Sequence, residues 1–410
     1  MSSKLNSNCS IGHNFLLSLE TRGIQLGLSR TKKLLSFCNN PQEHIKSIQI
    51  IGTNGKGSTA ATLSSILQCS GLKVGLYTSP HLVRLNERIQ INNKIISNKY
   101  IDQFINQYQH HITSTSCTFF ETLTALALHY FYNNNVDIAI LETGLGGKYD
   151  SVTACNPQLQ LFTGISKDHM HILGNSLEKI ATDKAQAIQP KVPCISVNQK
   201  KSAQKILDNF AKKQNTIIDY QITSQNKNYI SPLIGEHQVE NVLLAIKACK
   251  TLYNITDTVL IEGLKQTIWP GRIQTIQKQP MVIFDVSHNE ESIKAFLKLI
   301  KSLSIKGKKT LIISLQKTKE ISSTTSDLSA FFDQIICTQL NKRMYSSTEL
   351  KSIFTPSNKI ITTSQPGRYI RDLTNNANKN DFIAIIGSHY WGKEIEKNFK
   401  ISLVPKLDKL

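Results

Sequence analysis

SIQIIGTNGKGS, residues 47–58, sets a short apolar run directly against a glycine-rich loop. Ser47–Ile51 reads as a buried strand, and a helical pattern follows the loop. Glycines let the backbone curl so that its N–H groups converge on phosphate oxygens. The N-terminus of the next helix adds positive potential. Gly52, Thr53, Asn54, Gly55, Lys56, Gly57 and Ser58 are therefore candidate ATP-binding residues. Lys56 supplies charge for the outer phosphates, and Ser58 a hydroxyl for Mg²⁺. The common phosphate loop has a longer first half, so the loop taken alone also fits a plain turn between strand and helix. Strand, loop, lysine, serine and helix together favour phosphate. A second glycine stretch, Gly144-Leu145-Gly146-Gly147-Lys148, is followed by Tyr149 rather than a serine or threonine. It reads as a tight turn lining the same site.

Outward from this unit, apolar runs alternate with helical spacing. Leu63, Ile66 and Leu67 form one helical stripe; VGLY (74–77), DIAIL (137–141) and LQLFTGI (159–165) are short apolar runs. The alternation predicts an α/β fold with a mostly parallel sheet and helices on both faces. Strands buried on both sides read as continuous apolar runs, as these do. Trp269-Pro270-Gly271-Arg272 interrupts the pattern. A second alternation follows: MVIFD (281–285), the stripe Ile293, Phe296, Leu297 and Ile300, then TLIISL (310–315), QIICT (334–338) and FIAIIG (382–387). A chain of 410 residues exceeds one ordinary core. We place the boundary at about residue 275, giving an ATP-binding domain over 1–275 and a smaller α/β domain over 276–410. Residues after about Asn398 read as a loose tail.

Composition narrows the classes. The chain is 40% hydrophobic, which is ordinary for a globular protein. No apolar run has the length of a membrane span. The start, MSSKLNSNCSIGHNF, lacks an apolar signal core, so a cytoplasmic location is expected. The eight cysteines are scattered without a CxxC pair, which argues against a zinc module and a disulfide framework. The glycosylation-like triplets at Asn8 and Asn254 are then accidental. The net charge is +19, carried mostly by dispersed lysine. No arginine-rich, aromatic-interleaved patch stands out, so nucleic-acid and membrane partners are not expected.

The string GTNGKGS is similar to that of the Mur ligase superfamily. YTSPHLVRLNERIQIN (77–92), FFETLTALAL (119–128), LETGLGGKYDSV (141–152), GEHQVENVLLAIKA (235–248), WPGRIQ (269–274) and FDVSHN (284–289) narrow it. So do the stretch from Ser166-Lys167-Asp168-His169 to Asp183-Lys184-Ala185 and, near the end, GSHYWGKEI (387–395). Together they resemble folylpolyglutamate synthase and dihydrofolate synthase. The resemblance implies a Rossmann-like ATPase domain followed by a smaller Rossmann-like domain, with substrates in the cleft. Wall-building members of the superfamily carry a further N-terminal UDP-sugar domain. With only about fifty residues before the loop, that extra domain is not expected here.

The implied reaction joins L-glutamate to dihydropteroate or a reduced folate through an acyl phosphate made from ATP. The implied cofactor is Mg²⁺, with two ions, and the implied protein is a monomer. By resemblance Ser58 and Glu121 hold one Mg²⁺ and His169 a second. Lys56, His169 and Lys184 are the implied catalytic residues, and Lys184 is carbamylated. Asn241, Arg272, Asp285 and His288 correspond to ATP contacts. Ser79, His81 and Arg84 lie near the implied folate pocket, and Asp150 matches an aspartate linked to dihydropteroate use. The chain departs from the family pattern at Lys148, Tyr149, Thr153 and Gln186, and 314–319 lacks an expected acidic residue. Two rivals stand beside this reading: a superfamily ligase acting on another carboxylate, and a basic P-loop ATPase that binds nucleic acid.

Overall fold

The computed structural model describes residues 10–222 and 228–404. Most of the start read above, with the Asn8 triplet, lies outside them, as do residues 405–410. Among the described residues the first sheet contains β1 (Ser47–Ile51), β2 (Val74–Tyr77), β3 (Ile89–Ile91), β4 (Lys94–Ile95), β5 (Ile138–Glu142), β6 (Leu159–Phe162), β7 (Cys194–Ser196) and β8 (Ile218–Asp219). Their order is β4-β3-β2-β5-β1-β6-β7-β8. All neighbours from β2 through β8 pair in parallel. β3 and β4 form an antiparallel hairpin beside β2. Asn92 and Asn93 turn it with φ of 48° and 62°, the positive values that two-residue hairpins of the I′ type need at both central positions. β1, β2, β5 and β6 are buried at every residue, so continuous apolar runs were the right signal for them.

The helix Lys56–Cys69 leaves the loop and is buried from Gly57 to Leu67. It packs between the sheet and the helices Glu236–Leu252 and Asp257–Lys265. Gly263 permits the close approach: a Cβ there would lie 2.5 Å from Ile66 Cα.

The second sheet contains β9 (Gln274–Lys278), β10 (Met281–Phe284), β11 (Lys309–Ile313), β12 (Gln334–Thr338), β13 (Ile360–Thr363) and β14 (Phe382–Ile386). Its order is β13-β12-β11-β14-β10-β9, and β9 is the antiparallel edge. The helix Glu290–Lys301 buries Ile293, Phe296, Leu297 and Ile300, the stripe read from the sequence. The loose tail expected after Asn398 is corrected as far as residue 404. Leu403 is 4% exposed, packs into a core cluster, and donates its N–H to Glu396 Oε1 at 2.7 Å. The seven described cysteines are free thiols.

β1 lies between β5 and β6, with Ile50 opposite Glu142 and Ile51 opposite Phe162. The chain leaves these three strands at one edge, as the loops at 52–58, 143–147 and 163–169. A crevice outside the carboxyl ends of such strands is where α/β sheets bind ligands.

Candidate active site

A cavity of about 370 Å³ lies over that edge, and Gly52–Ser58 line it. The loop is anchored by its own backbone: Thr53 and Asn54 N–H donate to Gly164 O at 2.9 and 3.3 Å. Gly55 has φ 91°, and a Cβ there would lie 2.2 Å from Asn241 Oδ1. Both the curl and the close approach require glycine. Lys56 Nζ folds back to 3.1 Å from Thr53 O and stands 4.0 Å from Glu142 Oε1. Arg272, two residues before β9, and Asp285 and His288, which follow β10, line the same cavity. Asp285 is locked by Ile273 N and Ser287 N, each at 2.8 Å. Burial lowers the pKa of Arg272. Asn241, His169 and Lys184 also line this cavity. The residues expected at ATP thus converge from both sheets.

The two ligands expected for the first cation line different cavities. Ser58 Oγ is buried and has no hydrogen-bond partner among the described residues, which fits a hydroxyl kept for a cation. Glu121 does not join it. It sits at the third position of the helix Phe119–Asn133, where its Oε2 accepts from Thr118 N at 2.7 Å in a capping box. Arg30 Nε donates to both its oxygens, at 3.0 and 3.1 Å. Glu121 lines a neighbouring cavity instead. The carboxylate at the loop is Glu142, the last residue of β5. It is buried, lies beside Lys56 and lines the loop's cavity. Burial raises its pKa while Lys56 pulls the other way.

His169 lines both cavities with left-handed backbone angles, φ 49° and ψ 37°. Such a conformation in a non-glycine residue persists where the surroundings enforce it. Burial and the nearby Lys319 push its pKa down to about 3, so the ring is neutral and able to ligate. Lys319, 4% exposed, reaches Asp168 Oδ1 at 2.6 Å and His169 Nε2 at 3.2 Å. Burial pushes the Asp168 pKa up, but the hydrogen bond with His288 and the charge of Lys319 outweigh it and hold the carboxyl below its usual range.

Lys184 lies in the last turn of the helix Leu177–Ala185 and is 4% exposed. Its Nζ donates to Gly52 O at 2.7 Å and approaches Gly146 O at 3.4 Å. Burial, then the charge of Lys56, pushes its pKa down to about 7. The second glycine stretch packs onto this helix: a Cβ on Gly147 would lie 2.7 Å from Lys184 Cα. Thr153 pins the turn by donating to Gly147 O at 2.7 Å. Gln186 forms the C-cap, half-buried.

A second cavity, about 340 Å³, opens beside the first. Both are lined by Ser79, Gly144, Leu145, His169, His288 and His389, so they join there. Away from the junction the walls are Ile24, Leu26, Phe120 and Tyr149, with Arg88 and Asp150 among them. Asp150 accepts from Gly144, Leu145 and Val152 N at 2.8, 2.9 and 3.0 Å. Burial nevertheless raises its pKa to about 6. Two expected residues are displaced. Arg84 is exposed and lines neither cavity; it only starts the short turn Leu85–Arg88. His81 lines neither and acts on Arg88, whose Nε lies 3.0 Å from its Nδ1. Burial pushes His81 down to about 3.

Glu142, Arg88, Lys319 and His389 were missed as site residues. Glu142 ended an apolar run read one residue short. Arg88 lies one short turn beyond Arg84 in the same segment, 77–92. Lys319 lay in a stretch noted only for lacking an acid.

The Mur ligase middle domain matches residues 50–231, and the Mur ligase, glutamate ligase domain matches 271–389. The dihydrofolate synthase/folylpolyglutamate synthase of Bacillus subtilis is 30% identical, covering 92% of this chain and 96% of its own length. A solved bifunctional folylpolyglutamate synthase/dihydrofolate synthase with Mn, AMPPNP and L-glutamate bound is 25% identical. It superposes with a TM-score of 0.86 over 96% of this chain and 98% of its own. Escherichia coli FolC in complex with DHPP and ADP shares the fold at TM-score 0.87 and 24% identity, over 97% of this chain and 99% of its own.

Proposed function

The chain belongs to the dihydrofolate synthase/folylpolyglutamate synthase family of Mur ligases, and we propose that its two joined cavities carry out that family's reaction with the residues described above. The reaction is the ATP-dependent ligation of L-glutamate to a dihydropteroate or folyl(poly)glutamate carboxylate, giving an amide, ADP and phosphate. A carboxylate alone does not react with an amine, because oxide would have to leave. ATP converts it to an acyl phosphate.

One observation carries the reading: the phosphate-loop cavity and the largely apolar cavity meet at Ser79, Gly144, His169 and His288. ATP lies in the first, with Gly52–Ser58, Asn241, Arg272, Asp285 and His288 around it. The acceptor lies in the second, against Asp150, Arg88 and the apolar wall. Its carboxylate oxygen attacks the γ-phosphorus and ADP leaves. Lys56 and Arg272 offset the charge of the transferring group. The amine of glutamate then attacks the acyl carbon, phosphate leaves, and the amine proton is lost.

ATP and a divalent cation are the cofactors. The unpartnered Ser58 Oγ and the Glu142 carboxylate fit the first cation, and His169 with a carbamate on Lys184 would fit a second. Bound there, such a cation neutralises charge on the phosphates. Hard cations take oxygen donors and complete their shells with phosphate and water, in keeping with the absence of a ready cage of three His, Cys, Asp or Glu among the described residues. A Lys184 pKa near 7 leaves a sizeable neutral fraction in neutral solution. The neutral amine can add CO₂ and lose a proton, replacing a cation by a carbamate anion. We assign 1–275 to the ATP-binding domain and 276–410 to the second wall, in a monomeric cytoplasmic enzyme without nucleic-acid or membrane partners. No helix among the described residues is long and apolar enough to cross a membrane.

The test is phosphate release from ATP with Mg²⁺ and glutamate, run with dihydropteroate and with tetrahydrofolate, products read by mass. A glutamyl adduct with either supports the reading. ATP binding by a folded protein without an adduct from any folate acceptor would falsify the substrate assignment.

A further inference from the structure

Asn289 caps the helix Glu290–Lys301 and is 3% exposed. Its Oδ1 accepts from Ser292 N at 3.0 Å, which is the cap. Its Nδ2 crosses the cleft, donating to Asn54 Oδ1 at 3.0 Å and to Asp168 Oδ2 at 3.1 Å. Asn54 answers: its Nδ2 lies 3.4 Å from Asn289 Oδ1 and 3.2 Å from Ser166 Oγ. One buried amide of the second domain therefore touches the phosphate loop and the segment that carries His169.

The cap alone does not call for this residue. Aspartate or serine would cap as well. An amide differs in offering an acceptor to the helix and, from the same group, donors to Asn54 and Asp168. Asp168 is held from the second domain by Lys319 too, at 2.6 Å. Asn54 of the loop and Asp168 beside His169 thus share contacts to the second sheet's side of the cleft.

We propose that Asn289 is a positioning residue that registers docking of the second domain through the Asn54–Asn289–Asp168 bridge and so fixes the phosphate loop and His169 for phosphoryl transfer. The inference rests on the ligase reading, because it assigns the bridge to that reaction.

Asn289→Asp is the sharp test on the full chain. It keeps size and cap but sets a carboxylate oxygen against Asp168 Oδ2 and Asn54 Oδ1. We expect kcat to fall about 30-fold or more and KM for ATP to rise less than about tenfold, while the like-charge contact lowers the melting temperature by several degrees. Asn289→Ser, which caps without the amide donor, should also lose more in kcat than in KM. Asn54→Ala alone should cost about tenfold, yet add less than about threefold to Asn289→Ala, since both remove one bridge. Turnover of Asn289→Asp within about threefold of the parent, or independent multiplication of the Asn54 and Asn289 effects, overturns the proposal. If the parent forms no glutamyl product, the ligase reading fails separately. The radius of gyration with Mg²⁺ and a non-hydrolysable ATP analogue then decides the bridge: larger for Asn289→Asp than for the parent is expected, and equal values overturn it.

Discussion

The two cavities are built from different materials. The nucleotide cavity is largely backbone: glycines with fixed curl, a helix N-terminus, and carboxyl ends of three parallel strands, with a few charges placed among them. The acceptor cavity is largely side chain: Ile24, Leu26, Phe120 and Tyr149, contributed by segments far apart in sequence. A backbone cradle tolerates little change, because a Cβ at Gly55 or Gly57 would collide with Asn241 or Trp269. A side-chain wall can change its occupant one substitution at a time. ATP use should therefore be the fixed part of this enzyme and acceptor choice the adjustable part.

Lys56→Ala gives the largest expected effect. Removing the loop's charge should cut kcat about 1,000-fold at little cost to the melting temperature, measured by steady-state phosphate release and calorimetry. A fully active variant would break the distinction at its root. Glu142→Gln against Glu121→Gln comes next. The first should cost about 100-fold and raise the Mg²⁺ concentration needed for half-maximal rate. The second keeps the capping box, which glutamine also completes, and loses only the charge facing Arg30, so it should lower stability by about 1 kcal/mol or less and leave the Mg²⁺ requirement alone. A Mg²⁺ titration of each variant separates them.

Lys184→Ala is expected to cost about 10- to 100-fold and to recover partly with added short carboxylates. Its pH signature has a definite sign. The folded pKa is about 7 against 10.5 for the free side chain, so between these values the unfolded chain binds more protons. The burial penalty is full below about pH 7 and is relieved as pH rises toward the higher value. Bicarbonate should accordingly activate the enzyme more at pH 8 than at pH 6, and a reversed order would remove the carbamate from the site. The smallest effect is Tyr149→Leu. Lys148 Nζ lies 4.6 Å over the Tyr149 ring at the mouth of the acceptor cavity. Its loss should change KM for the acceptor by less than about tenfold and leave KM for ATP unchanged.

The same contrast explains what the sequence made legible. Buried parallel strands announce themselves as apolar runs, and the loop at 52–58 combines glycine, lysine and serine in a short window. Short or edge strands such as β3, β4, β8 and β13 carried no comparable run. Glu121 was assigned by resemblance, and its capping of Phe119–Asn133 is not legible in that match; the register Ile50↔Glu142 sets a different carboxylate beside the loop. Arg84 and Arg88 differ only in which side of a four-residue turn they occupy, and linear spacing does not report that. Contacts across the cleft, such as Lys319 with Asp168, join residues 151 positions apart and have no local signature.

The central claim is transfer of the γ-phosphoryl group to the acceptor's carboxylate in the joined cavities. The direct measurement uses dihydropteroate and a reduced folate, each ¹⁸O-labelled in the reacting carboxylate, with unlabelled ATP, glutamate and Mg²⁺, and reads the released phosphate by mass. One ¹⁸O in each phosphate released with product is the expected result, since the acyl phosphate hands an acceptor oxygen to its leaving group. Unlabelled phosphate accompanying a genuine glutamyl product would contradict the acyl-phosphate route.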